Sequence, residues 1–272
     1  MNDESTSKLA KRLLLIINPG STSTKFALYE EDQSLFEITL AHTTEELSGF
    51  EKITDQFHFR RELILSELST RKVNLNRISA VIGRGGLIKP IESGIYRVNN
   101  RMVDDLRKGL LGQHASNLGG LIAIDIATKL PNADAYIVDP VVVDELQPVA
   151  RLSGHPEIDR ISIFHALNQK AVGRMHAEKS GKKYEDLNLI IAHLGGGISI
   201  GAHRKGKVID VNNALNGDGP YSPERSGGLP SGPVSYTHLR AHETVLDLVC
   251  RLLLEKKKTK DTRLMTSHTT KH

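Results

Sequence analysis

The sequence predicts an α/β protein, because strand patterns and helix patterns alternate along most of its 272 residues. Two apolar runs of strand length, 13–17 and 189–192, each lead into a turn rich in glycine or hydroxyl residues and then into a second strand. The length also exceeds the usual size of a single domain. We therefore expect two related α/β lobes, each with one of these hairpins.

The first strands form a predicted hairpin. Residues 13–17 run into Asn18-Pro-Gly, which is turn chemistry, and the alternating residues 25–29 return from that turn. A third strand is predicted at 34–40. Further strands are predicted at 78–82, 135–138, 158–163, 187–192, 198–203 and 208–211.

Helices are predicted where apolar residues recur at helical spacing among polar ones. The first such segment, 45–71, carries many charges and is long enough for one or two surface helices. The alternation of these helices with the strands supports the α/β class. The predicted helical segments are 45–71, 103–111, 118–130 and 165–180.

The two turns have the composition of phosphate-binding loops. The turn at 18–25 reads Asn-Pro-Gly-Ser-Thr-Ser-Thr-Lys, so it gathers backbone N–H groups, hydroxyls and one cation, which suits a multiply charged phosphate. The second turn consists of the three glycines at 195–197, after His193. Neither turn is a Walker loop. The segment of the chain nearest to that motif, 201–207, is followed by Val208 instead of Ser or Thr, and it lies between two strands instead of before a helix. Two such turns predict two half-domains that face one phosphate chain.

Several separated motifs resemble those of the acetate and butyrate kinase family and occur in the family's order over residues 12–233. Pro19 and the segment Ser-Pro-Glu-Arg-Ser-Gly-Gly at 222–228 resemble the butyrate kinase branch in particular. The family is similar in fold to actin, hexokinase and the heat-shock chaperones. The matching motifs lie at 18–25, 83–86, 112–117, 138–140, 164–168 and 193–197.

The resemblance implies a two-lobed, actin-like (ribonuclease H-like) α/β fold with mixed sheets and a nucleotide in the cleft. It implies an N-terminal actin-like domain at 1–150 and a partial C-terminal one at 151–233. The implied reaction is phosphoryl transfer in which ATP and butyrate give ADP and butyryl phosphate, with Mg²⁺ as the metal.

Other functions remain open. Ala166 and Gln169 stand where the acetate kinase motif has a glycine and a histidine, which favours a longer acyl substrate than acetate. The alternatives are a propionate, branched-chain acid, acetate or sugar kinase, and a non-catalytic actin-like nucleotide-binding module. The paired arginines Arg84 and Arg225 argue against the module, which has no carboxylate acceptor to neutralise.

Arginines are the residues that this chemistry needs most, because a carboxylate and an anionic phosphate repel each other unless cations neutralise them. The resemblance implies that Arg84 and Arg225 are the transition-state arginines and that His165 donates to a phosphoryl oxygen. Asp139 follows a strand, where α/β sheets place ligands, and with Asn18 it is expected to hold Mg²⁺ directly or through water. Taken singly, each has an ordinary structural explanation, such as a solvated surface arginine, a capping aspartate or a core histidine.

The predicted site residues fall into four groups. The catalytic ones are Arg84, Asp139, His165 and Arg225, and the substrate-binding ones are His114 and Asn117. The metal ligands are Asn18 and Asp139. The nucleotide-binding residues are Asn18, Gly20, Ser21, Ser23, Lys25, His193, Gly195, Gly196 and Gly197.

Residues 234–272 do not resemble the family. The segments 234–244 and 248–258 read as translated sequencing adapter, so we interpret the tail as foreign and exclude it from the fold. Family members continue past 233 with an adenosine-binding glycine-rich segment and a further acidic Mg²⁺ residue. We therefore expect an incomplete second lobe that exposes apolar sheet surface, and an inactive polypeptide.

Composition excludes several other classes. The tail carries eight Lys and Arg against four Asp and Glu, which accounts for the whole formal charge of +4, so the charge gives no argument for a nucleic-acid partner. The only cysteine, Cys250, also lies in the tail, so the body has neither disulfides nor thiolate metal sites. We expect a cytoplasmic protein with no membrane partner, whose partners are ATP and a small carboxylate. The resemblance implies a homo-oligomer, a dimer or larger.

Overall fold

The computed structural model of the chain describes residues 12–215 and 218–228. The chain divides into two compact units, 1–225 and 226–272, and only residues 226–228 of the second unit are described. All helices and strands given below lie in the first unit. The predicted foreign tail, 234–272, lies outside the described residues.

Strands and α-helices alternate in the described part of the chain, as predicted. The strands are β1 (Leu13–Pro19), β2 (Ser23–Glu30), β3 (Gln33–Ala41), β4 (Ile78–Arg84), β5 (Ile95–Arg97), β6 (Asp134–Val138), β7 (Leu152–His155), β8 (Ile158–Asp159), β9 (Asn188–Leu194), β10 (Ile198–Arg204) and β11 (Lys207–Val211). The α-helices are α1 (Thr44–Ser48), α2 (Phe57–Thr70), α3 (Asn100–Lys108), α4 (Asn117–Thr128) and α5 (Ala166–Lys179). Short 3₁₀ helices lie at Ile53–Gln56, Leu75–Arg77, Pro148–Arg151 and Tyr184–Asp186.

The main sheet is mixed. Its six strands have the order β3-β2-β1-β4-β6-β5, with β4 parallel to β1 and β6 parallel to β4, while the other pairs are antiparallel. The carboxyl ends of β1, β4 and β6 therefore meet at one edge of the sheet. A three-stranded antiparallel sheet has the order β11-β10-β9, and β7 pairs with β8. Both predicted hairpins, β1–β2 and β9–β10, are confirmed.

The six-stranded sheet precedes residue 150 and the three-stranded sheet follows it. Both sheets belong to the same compact unit, which extends to Arg225. The division into domains at 1–150 and 151–233 stays a prediction.

The helix predicted at 103–111 begins and ends earlier, as α3. Its start is fixed by Asn99, whose side-chain Oδ1 accepts a hydrogen bond from Met102 N at 3.0 Å. Its end is fixed by Gly109, whose φ of +62° is left-handed. The capping chemistry at both ends therefore overrides the apolar periodicity from which the bounds were predicted.

The strand predicted at 158–163 is wrong beyond Asp159, where β8 ends. The following residues run along the loop after β6 instead of joining a sheet. Ser162 Oγ donates to Val143 O at 2.6 Å, and Phe164 N donates to Val141 O at 3.0 Å. These bonds carry the chain from β8 to the start of α5 and bring His165 to the edge of the main sheet.

Helix α4 anchors the hydrophobic core. All its residues from Asn117 to Ala123 are buried, and it packs against β4 and β6. The core below it contains fully buried side chains of the three central strands, among them Leu15, Val81 and Ile137. A helix this apolar on every side is typical of an interior position.

The second sheet leaves apolar side chains exposed, as predicted. β9 is an edge strand, and its residues Ile190 and Leu194 are 81% and 73% exposed. Ile200 on the neighbouring β10 is 40% exposed. Within the described residues, none of the helices combines the length and the apolar character needed to span a membrane.

Candidate active site

Two adjacent cavities lie at the edge of the main sheet where β1, β4 and β6 end, which is the edge where α/β sheets bind ligands. Their volumes are about 330 Å³ and about 40 Å³. The larger is lined by Asn18, Arg84, Gly85, Asp139, Val141, His165, Ala166, Leu167, Asn168, Ala171 and His193. The smaller is lined by Arg84, Leu87, His114, Val141, Ile163, Phe164, His165, Ala214, Leu215 and Arg225.

About half of the predicted site residues are therefore brought together. Those that line a cavity are Asn18, Arg84, His114, Asp139, His165, His193 and Arg225. Those that line neither are Gly20, Ser21, Ser23, Lys25, Asn117, Gly195, Gly196 and Gly197.

Arg84 stands between both cavities because the end of β4 packs backbone to backbone against α4. A Cβ on Gly83 would lie 2.1 Å from Gly119 O, and a Cβ on Gly119 would lie 2.3 Å from Arg84 O. Only glycines permit this approach, so they fix the position of the arginine. Its Nη1 donates to Asn18 Oδ1 at 3.4 Å, and burial lowers the pKa of Arg84. In the described part of the chain no carboxylate pairs with this guanidinium, so its charge is available to an anion.

Asn117, predicted to bind substrate, is fully buried instead of facing a cavity. Its Oδ1 accepts a hydrogen bond from Leu87 N at 2.9 Å, and its Nδ2 donates to Gly112 O at 3.1 Å. A Cβ on Gly86 would lie 2.6 Å from the asparagine. In this structure Asn117 fastens the glycine-rich segment after Arg84.

Asp139 follows β6 in a left-handed conformation, with φ of +38°, and is 2% exposed. Its Oδ1 accepts hydrogen bonds from Ser93 Oγ at 2.6 Å and Gly94 N at 2.9 Å. Its Oδ2 pairs with Arg174 Nη1 at 3.1 Å. A conformation uncommon for a non-glycine residue is thus stabilised by four donor and acceptor contacts, including Asp139 N to Gly94 O at 3.0 Å.

Three histidines surround the two arginines. The rings of His165 and His193 stack with centroids 3.7 Å apart, and His114 lines the smaller cavity. Burial, followed by the nearby charges of His193, Arg84 and Arg225, lowers the pKa of His165 to about 4. Burial and Arg84 also lower the pKa of His114 and of His193. At neutral pH the rings are therefore uncharged hydrogen-bonding groups, and the arginines carry the positive charge.

The glycine turn between β9 and β10 receives the loop that carries Arg225. A Cβ on Gly197 would lie 2.4 Å from Arg225 Nη1, and a Cβ on Gly196 would lie 2.5 Å from Glu224 Oε1. Glu224 N donates to Gly196 O at 3.0 Å. The glycines therefore make the room that lets Arg225 reach the smaller cavity beside His165.

Helix α5 contributes a feature that the sequence did not reveal. The helix begins at Ala166, and Ala166, Leu167 and Asn168 all line the larger cavity. Within the described residues the N–H groups of Leu167 and Asn168 have no hydrogen-bond partner. A helix N-terminus with free N–H groups favours an anion, which here would lie beside Arg84.

The first turn is organised by Arg60, which sequence reasoning missed. This α2 residue is 0% exposed, and its Nη1 donates to Gly20 O at 2.8 Å and Ser23 O at 3.0 Å, while its Nη2 donates to Ser21 O at 3.1 Å. Gln56 Oε1 also accepts from Arg60, and burial lowers the pKa of the guanidinium to about 10. Arg60 thus binds the carbonyl side of the turn.

The N–H side of the same turn stays open. Within the described residues the N–H groups of Ser21 and Thr22 have no partner. Lys25 is exposed and lies directly opposite Asn18 in the β1–β2 pairing, which places both side chains on one face. The turn therefore offers free N–H groups, hydroxyls and a cation close to the strand end that carries Asn18.

We expect Lys25→Met and Ser21→Ala each to raise the Kd for ATP about threefold to tenfold, because each removes one polar or charged phosphate contact. Isothermal titration of each variant, made in the product of the whole gene, measures the change. Thermal unfolding is expected to stay unchanged, since both side chains are exposed. Lys52→Met, at an exposed lysine ahead of α2, is the control. Unchanged ATP affinity in both variants would show that the turn does not bind phosphate.

Stability should depend on pH through the buried histidines. Burial lowers the pKa of His165 and of His203 to about 4, against 6.5 for an unperturbed ring. Between pH 6.5 and 4 the unfolded chain binds protons that the folded chain does not, so the free energy of unfolding falls as the pH falls. We expect His203→Gln to lower the slope of the free energy of unfolding against pH by up to about 1.4 kcal/mol per pH unit, the contribution of one proton. Urea unfolding at pH 7, 6 and 5 measures it, with the exposed His176→Gln as control; equal slopes in parent and His203→Gln would contradict the assignment.

Comparison with solved structures defines the class of fold. An acetate kinase from Porphyromonas gingivalis superposes with a TM-score of 0.64 at 21% identity, covering 85% of this chain and 65% of that one. A propionate kinase from Francisella tularensis superposes with a TM-score of 0.60 at 21% identity, covering 84% and 65%. The chain therefore has the α/β, actin-like fold of the acetate and propionate kinases, as predicted.

Sequence comparison defines the family. Residues 157–260 match the Acetokinase family. Butyrate kinase 1 of Clostridium acetobutylicum is 59% identical over 219 residues, and a probable butyrate kinase of Clostridium botulinum is 58% identical over 219 residues. The chain is therefore similar to the acetokinase family over most of its length, which confirms the predicted resemblance.

Each of these alignments covers 80% of this chain and 61% of the relative, so the chain spans less than two thirds of the length of the relatives it matches. The family match reaches residue 260 and includes residues 234–260 of the predicted foreign tail. The foreign origin of that tail stays a prediction.

Proposed function

We propose that the whole protein is an ATP-dependent kinase of short-chain carboxylates, with butyrate as its preferred acid. The observation that carries this proposal is the two-sided wall of the smaller cavity. One side is apolar, and the other presents guanidinium and imidazole groups. The apolar side consists of Leu87, Val141, Ile163, Phe164, Ala214 and Leu215, and the polar side of Arg84, His114, His165 and Arg225.

Such a wall fits an acid with a short alkyl chain. The alkyl group packs on the apolar side, and the carboxylate pairs with Arg84 and Arg225. The larger cavity shares Arg84 and His165 with the smaller one, so a phosphate chain there comes next to the carboxylate. The free N–H groups at the start of α5 favour the phosphate in that place.

The proposed chemistry is direct transfer. A carboxylate oxygen attacks the γ-phosphorus of ATP, a bond forms between them, and the bond from phosphorus to the ADP oxygen breaks. The repulsion between two unit charges at 4 Å rises from about 1 kcal/mol in water to about 4 kcal/mol at a protein surface. Arg84 and Arg225 offset this repulsion, and the neutral His165 donates a hydrogen bond to a transferring oxygen.

We propose that Asp139 and Asn18 hold Mg²⁺ in the larger cavity. Among the residues that the structure describes, Asp139 Oδ2 has one partner, Arg174, and Asn18 Oδ1 has one, Arg84, so each oxygen keeps a lone pair. Among the described residues no cluster of three or more acidic, histidine or cysteine side chains provides a complete cage. One carboxylate and one amide still suit Mg²⁺, which usually keeps several waters and binds the substrate phosphates. When bound, the ion neutralises charge on those phosphates.

The printed names of the relatives support the choice of butyrate, since two related proteins are a butyrate kinase and a probable butyrate kinase. Propionate, branched-chain acids and acetate remain the alternative substrates. The non-catalytic nucleotide-binding module is disfavoured by the apolar cavity next to two arginines. Cytoplasmic location and assembly into a dimer or larger oligomer stay predictions.

The test compares four acids as substrates of the protein that the whole gene encodes. ATP is supplied with acetate, propionate, butyrate or isobutyrate, acyl phosphate is trapped with hydroxylamine, and ADP is measured in parallel. A reaction without acid measures simple ATP hydrolysis. We expect the highest kcat/KM with butyrate and equal amounts of hydroxamate and ADP. ADP release that does not depend on any acid would favour the nucleotide-binding module and contradict the proposal.

A further inference from the structure

A buried chain of hydrogen bonds leads from the second sheet to His165. Tyr184 Oη contacts His203 Nδ1, and His203 Nε2 lies 2.9 Å from Gln169 Oε1. Gln169 Nε2 lies 3.0 Å from Ser199 O and 2.8 Å from Ser199 Oγ, which in turn lies 2.8 Å from His165 Nδ1. The four residues behind His165 are at most 4% exposed. The proposed reaction uses none of them directly.

One backbone carbonyl fixes the direction of the bonds behind Gln169. Ser199 O accepts only, so the side-chain nitrogen of Gln169 faces it and Gln169 Oε1 faces His203. An oxygen needs a donor there, so His203 carries its proton on Nε2. Burial lowers the pKa of His203 to about 4, so its Nδ1 has no proton at neutral pH and accepts from Tyr184.

The hydroxyl of Ser199 fixes the direction towards the cavity. Its oxygen contacts Gln169 Nε2 at 2.8 Å and His165 N at 3.4 Å, and both of these groups are donors. The remaining contact of that hydroxyl within the described residues is His165 Nδ1, so the hydroxyl proton goes there. His165 Nδ1 is thus an acceptor, and a neutral ring then carries its proton on Nε2.

Two glycines give this network its room. A Cβ on Gly201 would lie 2.4 Å from Gln169 Oε1 and 3.0 Å from His203 Nε2. A Cβ on Gly173 would lie 2.6 Å from the ring of Tyr184. Any other residue at either position would push the polar side chains apart, so these hydrogen bonds depend on glycine at both positions.

We propose that Ser199 and Gln169 are positioning residues that hold His165 in the neutral Nε2–H tautomer, so that its N–H is directed to the ligand. This rests on the proposed function, in which His165 donates to a transferring oxygen. The other tautomer would present a lone pair to an anion and repel it. In general, the hydrogen bond that one ring nitrogen of a histidine makes decides which tautomer the ring adopts.

The first test is the tautomer of His165 in the 272-residue chain labelled with ¹⁵N-histidine, read from two-bond ¹H–¹⁵N correlations at pH 7.5. The His165→Gln variant assigns the signals. We expect the parent to show the Nε2–H pattern alone. The Nδ1–H pattern, or an average of the two, would overturn the proposal without any variant.

Two variants test the cause. Ser199→Ala removes the donor, so we expect averaged signals from both tautomers. In Gln169→Glu the carboxylate accepts a hydrogen bond from the Ser199 hydroxyl. Ser199 Oγ then presents a lone pair to His165 Nδ1, so we expect the Nδ1–H pattern. Ser162→Ala removes a comparably buried hydroxyl that donates to Val143 O, and it leaves the His165 signals unchanged. Parent-like signals in Ser199→Ala would overturn the proposal.

Kinetics then separate this inference from the proposed function. In the product of the whole gene, we expect Gln169→Glu to lower kcat about 10²-fold with little change in the KM for ATP, as loss of one preorganised hydrogen-bond donor does. A kcat within threefold of the parent, despite a reversed tautomer, would overturn the positioning role. A parent that shows the Nε2–H pattern and yet forms no acyl phosphate would contradict the proposed function alone, and the tautomer assignment would stand.

Discussion

Replacement of Arg84 by alanine is expected to lower kcat for butyryl phosphate formation about a hundredfold, with the KM for ATP nearly unchanged. Arg84 lines both cavities, and its one side-chain hydrogen bond within the described part of the chain is to Asn18, so its charge is free to neutralise the transferring group. Preorganised charge of this kind contributes most in the transition state, roughly 3 kcal/mol for one group. Steady-state kinetics of the product of the whole gene measure both constants.

Two further variants make the Arg84 result specific. Arg84→Lys keeps the charge but loses the planar fork, so an intermediate loss is expected. Arg97→Ala removes an arginine of β5 whose partner is the exposed Asp134, and it should leave kcat unchanged. A kcat for Arg84→Ala within threefold of the parent would remove Arg84 from the catalytic role.

The second large effect concerns stability. We expect Arg60→Met to lower the free energy of unfolding by about 3 kcal/mol, because it leaves buried and part-buried acceptors without donors and each such group costs about 1–3 kcal/mol. The acceptors include the carbonyls of Gly20 and Ser21 and the side chain of Gln56, whereas Ser23 O keeps a donor in Gly20 N. Methionine fills most of the arginine's volume, so the loss reports the guanidinium. Urea unfolding at pH 7 measures it.

Arg61→Met is the matched control, one residue further along α2. Arg61 pairs with Glu62 and Asp125, partners whose side chains are 62% and 25% exposed. Partly exposed ion pairs contribute at most about 1 kcal/mol. Equal losses in the two variants would mean that Arg60 does not organise the first turn.

These two neighbours show why part of the site could not be predicted. Arg60 and Arg61 are adjacent in a charged helical segment, and nothing in the sequence separates the fully buried one from the part-buried one. The carbonyls that Arg60 binds come from a turn that is distant in sequence. The same holds for Gln169 and Ser199, since a buried polar residue is explained only by partners that the fold brings to it.

Residues that follow strand ends were easier to find. Asn18, Arg84 and Asp139 each lie where an apolar run stops, and the order of strands places these three ends at one edge of the main sheet. The motif around His165 was assigned to the site only through its resemblance to the family. The apolar wall of the smaller cavity was not predicted, because it combines residues from several separate segments.

The accuracy of the predicted fold depended on the strength of each local sequence pattern. Alternating strands joined by glycine turns, such as β1–β2 and β9–β10, were predicted correctly because pattern and turn agree. The three-residue β5 was missed, and its Ile95 is 71% exposed, so no buried face marks it as a strand. The short pair β7–β8 is exposed along its whole length; β7 was missed, and β8 forms only the start of the longer strand predicted at 158–163.

The most direct test of the central claim follows the oxygen of the acid. The product of the whole gene is incubated with ATP and butyrate labelled with ¹⁸O in both carboxylate oxygens, and the products are read by ³¹P NMR. If a carboxylate oxygen attacks the γ-phosphorus, the spectrum shows butyryl phosphate whose phosphorus signal carries the isotope shift of a bridging ¹⁸O. A spectrum that shows only unshifted inorganic phosphate would contradict the account, because ATP would then be hydrolysed by water.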